Sequence, residues 1–245
     1  MLTDLDVRKA LWQEAFGDPD NFTELFFQKG FSPDRHMYVE REGQLAGALY
    51  WFDCLWQRKK LAYIYGVAVA KKFRGQGISR QLMEMTHDHL RENGYYGAVL
   101  VPAGESLFSM YEKLGYRSFC PMEKKTVQPS APIALEQLDK KKYAALRRKN
   151  LPEGGVLQEG AALDFLAGYN RFFAGDNCLL AAAQEEDTLY IQEFLGDPSK
   201  LPGAVAALGA KSAQARLPGG SKLFAMYLNF TSDLQMPGYF GIALD

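Results

Sequence analysis

Residues 61–93 read LAYIYGVAVAKKFRGQGISRQLMEMTHDHLREN. The first ten are apolar on both faces, the pattern of a strand inside a sheet rather than at its edge. From position 78, Ile78, Leu82, Met83 and Leu90 fall on one helical face, and Gly94 follows as a C-terminal cap. Between strand and helix lies the polar loop KKFRGQG, with Arg74, Gly75, Gln76, Gly77, Ile78 and Ser79 at the helix start. A helix N-terminus exposes unpaired backbone N–H groups, and the macrodipole adds partial positive charge. Glycines let a ligand approach the backbone, and Arg74 adds a fixed cation. The combination suits an anionic pyrophosphate. Other phosphate loops fit poorly. There is no G-x-x-x-x-G-K-[ST], and Arg80 stands where a dinucleotide fingerprint needs its third glycine.

Working outward, DLDVRKALWQEAF (4–16) and 20–29 predict two helices separated by Asp18-Pro19. HMYVERE and QLAGALYWFDCLW predict two strands joined at Glu42-Gly43-Gln44. Downstream, 97–103 predicts a buried strand, 106–115 a short helix ending at glycine, and 116–119 a strand. CPMEKKTVQPSAP (120–132), rich in proline and charge, predicts a boundary between a domain over 1–125 and a smaller one over 131–245. In the second part, 133–138 predicts a strand, 139–150 and 159–173 helices, NCLLAAAQEE and DTLYIQEFLG a hairpin, and GYFGIALD a last strand.

The composition is that of a globular protein: 245 residues, 47% apolar and 23% charged, with a formal charge of −1. A balance this close to neutral gives no footprint for nucleic acid, and no apolar run reaches the length of a membrane span. The start MLTDLDVRKALWQEAF lacks the basic and apolar segments of a signal peptide, which predicts a cytoplasmic protein. Cys54, Cys120 and Cys178 form no paired framework. His87 and His89 point to different sides of a helix, so no metal site is expected.

The run YIYGVAVAKKFRGQGISRQLM resembles the signature of the GNAT superfamily of acyl-CoA-dependent N-acyltransferases, Gln/Arg-x-x-Gly-x-Gly/Ala, read here as Arg74-x-x-Gly77-x-Ser79. A second family element, A-x-x-x-Y-x-K-x-G-[FY], is matched by SLFSMYEKLGYRSF (106–119). The resemblance covers about residues 1–120. It implies an α/β (α+β) fold with a mixed, mostly antiparallel sheet flanked by helices, and acetyl-CoA as cosubstrate without a metal. It further implies that Val67, Ala68 and Val69 present backbone groups to the pantetheine arm, that Arg74 to Ser79 hold the pyrophosphate with Arg80 at the rim, and that Tyr111 protonates the leaving thiolate. Many relatives carry a glutamate where this chain has Tyr63, which leaves Glu105, Asp53, His36 or a water chain as the base. The expected activity is acetyl transfer to a primary amine of a small molecule or peptide. The alternative is a CoA-binding or interaction protein of the same fold. Tyr50, Trp51, Phe52 and Trp56 around Asp53 suit either an amine acceptor or simple packing.

The two halves also echo each other. VPAGESLFSMY (101–111) and LPGGSKLFAMY (217–227) share six identical positions, Tyr111 with Tyr227 among them, and AYIYGV matches LYIQEF at two. The second copy has GDPSKLPG where the first has its loop, so the second domain is expected to be a degenerate GNAT-like copy without a cofactor loop.

Overall fold

The computed structural model describes residues 4–232 and 235–244. The chain begins with helix α1 (Asp4–Phe16) and helix α2 (Asp20–Leu25), which runs into a π-helical turn (Phe26–Gly30). Strands β1 (His36–Arg41), β2 (Gln44–Trp56) and β3 (Lys59–Val69) follow, then α3 (Ile78–Glu92), β4 (Gly97–Leu100), α4 (Glu105–Glu112) and β5 (Arg117–Phe119). Next come β6 (Met122–Val127), β7 (Leu135–Leu138), α5 (Lys140–Asn150), β8 (Leu157–Gln158), α6 (Ala161–Leu166) and β9 (Arg171–Gly175). The last are β10 (Cys178–Glu185), β11 (Thr188–Gly196), α7 (Leu201–Ala207), β12 (Ser212–Pro218) and β13 (Ala225–Asn229). They gather into two compact units. One holds the chain up to Arg117, Gly160–Phe165 and a stretch from Met226. The other holds Ser118–Glu159, Leu166–Ala225 and the chain from Gln235. No helix among the described residues is long and apolar enough to cross a membrane.

The sheet of the first unit runs β1-β2-β3-β4-β13. The first three strands are antiparallel because two-residue turns join them. Glu42 and Gly43 have φ of 52° and 68°, and Gln57 and Arg58 have 49° and 66°. Such left-handed pairs match the twist of the flanking strands. β3 and β4 are parallel and need a crossover, which is α3. One face of α3 buries Ile78, Leu82, Met83 and Leu90. A Cβ on Gly47 would fall 2.8 Å from Ile78 and 3.0 Å from Leu82, so glycine there lets the helix close on the sheet. The other face takes Trp12 of α1, which stacks on Phe26 at 4.3 Å while its indole N–H donates to Asp18 at 2.8 Å. Phe26 in turn meets Tyr50, Tyr65 and Phe165.

The sheet of the second unit runs β6-β12-β11-β10-β9-β7. It repeats one order of events seen in the first: an antiparallel hairpin (β10-β11), a helix (α7), then a strand (β12) parallel to the second arm. Its apolar core includes Leu180, Ile191, Phe194, Leu201 and Val205.

Four expectations are corrected. The stretch 120–132 carries β6, which pairs with β12. It is an edge strand with a mostly exposed interior, where glutamate and lysine are at home, and so it resembles a linker in composition. The helix expected over 159–173 stops at Leu166, where the N–H groups of Tyr169 and Asn170 close onto the Leu166 carbonyl, and Arg171–Gly175 is strand. GYFGIALD forms no strand among its described residues, only an isolated bridge from Tyr239 to Gly155. In the repeat, Met110 and Tyr111 are helical while Met226 and Tyr227 lie on β13, antiparallel to β4 with Tyr227 opposite Val99. Identical residues there serve different structures.

Candidate active site

The parallel ladder between β3 and β4 runs Leu61 to Gly97, Ala62 to Ala98 and Tyr63 to Val99, and goes no further. β3 continues to Val69 with β2 alone beside it. Along that side Tyr50 faces Tyr65 and Ala48 faces Ala68, so β3 spends one extra residue, a β-bulge. Gly66 sits in the bulge at φ 62°, and a Cβ on it would fall 2.6 Å from the Trp12 ring. A bulge bends its strand and interrupts pairing. Among the described residues the ladder from β3 to β4 ends at Tyr63, which leaves Val67 to Val69 as an open edge on that side. Val67 and Val69 are half-buried and Ala68 is buried. Sequence reasoning missed Gly66, although a glycine inside a strand signals a bulge or close approach.

The loop after β3 is anchored at several points. The Phe73 N–H donates to the Ala70 carbonyl at 2.9 Å and its ring is buried. The Lys71 N–H donates to Glu14, Arg74 Nε to the Val69 carbonyl at 3.2 Å, and Gln76 Nε2 to the Lys72 carbonyl at 3.3 Å. Gly75 and Gly77 have φ of 77° and 76°, and a Cβ on either would meet nothing within 4 Å. Glycine is there for its backbone conformation, and the space beside it is open. Gly77 starts α3 without a side-chain cap, and no acidic residue lies in the first turn. The Gln81 N–H already bonds the Gly77 carbonyl, so the first-turn N–H groups before it are the unpaired ones. Ser79 and Arg80 line a cavity of about 210 Å³ with Ser109, Met110, Lys113 and Leu114 of α4 and its C-terminal turn. Two cations, two hydroxyls and a bare helix N-terminus fit a phosphate-bearing ligand. Ile78 contributes only its backbone, since its side chain is buried.

Tyr111 lies on α4 and is 7% exposed. Burial pushes its phenol up to about 12, so it is protonated at neutral pH. The three named base candidates are separated by their settings. Asp53 accepts from Tyr95 O–H at 2.5 Å and pairs with Arg35 at 3.5 Å, and its ladder partner is Ala62, at the closed end of β3. Glu105 is exposed at the start of α4. His36 faces Tyr50, which faces Tyr65, so it shares the row beside the bulge. Its Nδ1–H donates to the Pro33 carbonyl at 2.9 Å, leaving Nε2 as the acceptor nitrogen; Nε2 is buried without a partner among the described residues. Burial and the nearby Arg8 lower its pKa, which keeps it neutral. Tyr50, Trp51, Phe52 and Trp56 are at most 2% exposed and belong to the core. Among the described residues no group of three His, Cys, Asp or Glu side chains could hold a metal ion.

A family model described as an acetyltransferase (GNAT) domain matches residues 2–119. Among solved structures, the fold is similar to a GCN5-related N-acetyltransferase from Kribbella flavida, at TM-score 0.69 and 17% identity over 91% of this chain and 68% of that one. It is similar to a GCN5-related N-acetyltransferase from Anabaena variabilis at 0.70 and 18%, over 92% and 70%. Eis1 from Mycobacterium abscessus is similar at 0.66 and 11%, over 94% and 72%. At these identities the likeness is one of fold, and it extends well past the residues matched by the family model. No curated protein matches the sequence.

Proposed function

Residues 2–119 make this chain a member of the GNAT superfamily of acetyltransferases, and on that premise we propose that it transfers the acetyl group of acetyl-CoA to a primary amine of a small molecule or peptide. The observation that carries this reading is the uncapped N-terminus of α3 behind Gly75 and Gly77, set beside the free edge of β3. Acetyl-CoA supplies an acetyl group already activated as a thioester. The backbone of Arg74, Gly75, Gln76, Gly77, Ile78 and Ser79 holds the pyrophosphate, with Arg74 and Arg80 as cations. Val67, Ala68 and Val69 offer backbone groups to the pantetheine arm, and an N–H from this edge polarises the carbonyl under attack.

Tyr111 at about 12 is a weaker acid than a thiol of about 8.5. It therefore assists by donating a hydrogen bond to the sulfur as charge builds there, rather than by surrendering its proton early. For the amine proton, the row beside the bulge favours His36 over Asp53. Tyr50 lies between His36 and β3, so a water relays the proton.

A second reading keeps CoA binding and drops the transfer. Tyr63, where many relatives carry glutamate, is 2% exposed and offers no carboxylate. Calorimetric titration with CoA, beside thiol release from acetyl-CoA with a panel of amines, decides between them. Binding with turnover supports the enzyme, binding with no turnover on any amine supports the second reading, and no binding overturns both.

The smaller unit is proposed to be a degenerate relative of the first, without a cofactor of its own. Its hairpin, helix and parallel strand support this. The start of α7 differs from that of α3: Pro202 lies in the first turn, and Asp197 already accepts the Ser199 N–H at 2.9 Å.

A further inference from the structure

Tyr111 is followed by Glu112, Lys113, Leu114, Gly115 and Tyr116. Gly115 adopts φ 91°, the left-handed turn that ends α4. The turn sends the Leu114 and Tyr116 N–H groups back to the Tyr111 carbonyl, at 3.0 and 3.1 Å. The Tyr116 ring then meets the Tyr111 ring edge-on, with centroids 5.8 Å apart. Tyr116 is 2% exposed, and a buried hydroxyl needs a partner. It finds one in His87 of α3: Tyr116 O–H and His87 Nε2 are 2.9 Å apart. His87 is itself buried, and burial lowers its pKa to about 4, so it stays a neutral acceptor at neutral pH. Arg91 and Asp88 of the same helix are the charges that act on it, and the Phe230 ring centroid lies 5.7 Å from its own. This one bond thus ties α3, whose first turn lines the cavity, to the segment that carries Tyr111 and lines the other side.

We infer that Tyr116 and His87 are positioning residues, which hold the Tyr111 ring at the angle its hydroxyl needs to reach the sulfur. The inference rests on the reading of Tyr111 as the hydrogen-bond donor in acetyl transfer. Neither residue touches substrate. Their effect passes through the Tyr116 ring, since a ring free to shift by about an ångström loses much of the benefit of a placed group. The tie lies two helical turns from the first residues of α3, so cofactor affinity should depend on it little.

The test is a mutant cycle in the full chain. Tyr116→Phe is expected to lower kcat about tenfold with KM for acetyl-CoA unchanged, and the loss should vanish in a Tyr111→Phe background. His87→Gln keeps an acceptor and should retain most of the rate, whereas His87→Leu should behave as Tyr116→Phe does. An unchanged kcat in Tyr116→Phe, or a loss that persists in the Tyr111→Phe background, overturns the positioning role. A Tyr111→Phe protein at full rate instead overturns the reading beneath it. A second readout needs no turnover. With fluorotyrosine incorporated, the Tyr111 resonance should be single and sharp in the wild type and shifted or broadened in Tyr116→Phe and His87→Leu. A resonance unmoved in both variants, with melting temperatures showing both folded, overturns the inference as well.

Discussion

The hairpins β2-β3 and β10-β11 are built alike and end differently. Each has one extra residue in its second strand, and each is followed by a helix and a parallel strand. In the first the bulge holds Gly66, and a glycine loop leads to an uncapped helix. In the second the bulged stretch holds Glu193, fully buried. Arg147 binds that carboxylate at 2.6 and 2.9 Å, and Tyr143 and Tyr239 donate to it at 2.8 and 3.1 Å. Arg147 also donates to Gln158 at 2.9 Å, and Gln158 to the Ile242 carbonyl at 2.5 Å. Gly241 lies so close to Glu193 and Tyr239 that a side chain there would strike both. The same backbone irregularity serves as an open edge in one unit and as the seat of a closed polar network in the other. The bulge supplies a bend, and the side chains around it decide whether that bend is left as an open edge or sealed in a core.

Four measurements test this contrast. The largest effect is expected at the open hairpin's partner helix. Tyr111→Phe should lower kcat by roughly 10²–10³-fold, the range for a lost hydrogen-bond donor to charge that develops in the transition state, with CoA affinity unchanged in calorimetry. A full rate would make the open unit's tyrosine merely structural.

Next comes the closed network. Glu193→Ala leaves Arg147 buried and unpaired, which should cost about 3–5 kcal/mol in denaturant unfolding. Glu193→Gln should cost less, because the amide oxygen still accepts from one tyrosine and from one Arg147 N–H. Equal, small losses in both would mean that the network does not hold the second unit.

The third effect is acid sensitivity of the first unit. His87 has a folded pKa of about 4, below its unfolded value of about 6.5. Between these values the unfolded chain binds more protons, so stability from this group is present above pH 6.5 and is lost as pH falls towards 4. The full loss is about 3 kcal/mol, as an order of magnitude. Unfolding measured across this window should flatten in His87→Gln; an identical pH slope in both proteins refutes the assignment.

The smallest expected effect concerns the loops. Gly77→Glu places a carboxylate and a strained φ at the start of α3 and should weaken CoA binding at least about tenfold. In the second unit Asp197→Gly should change CoA affinity not at all. Gly77→Glu binding like wild type would place the pyrophosphate elsewhere, and a second calorimetric site in Asp197→Gly would dissolve the contrast.

Much of the candidate site was legible in the residues. The loop from Arg74 to Ser79, the helix behind it and the helix bearing Tyr111 are local features. A glycine's left-handed φ, an uncapped helix start and an apolar face at helical spacing each depend on a few neighbouring residues, so position along the chain reveals them. The edge β6, the pairing of β13 with β4 and the network around Glu193 were not legible, nor was the separation of His36 from Asp53. The sharpest case is Tyr111 against Tyr227, in matching sequence but one helical and one extended. A helix closes its hydrogen bonds within its own segment, so the loop, its helix and the helix bearing Tyr111 can be read from neighbouring residues alone. A strand or a buried charge must find its partners far along the chain, so which edges stay open and which carboxylate is sealed emerges from the folded whole.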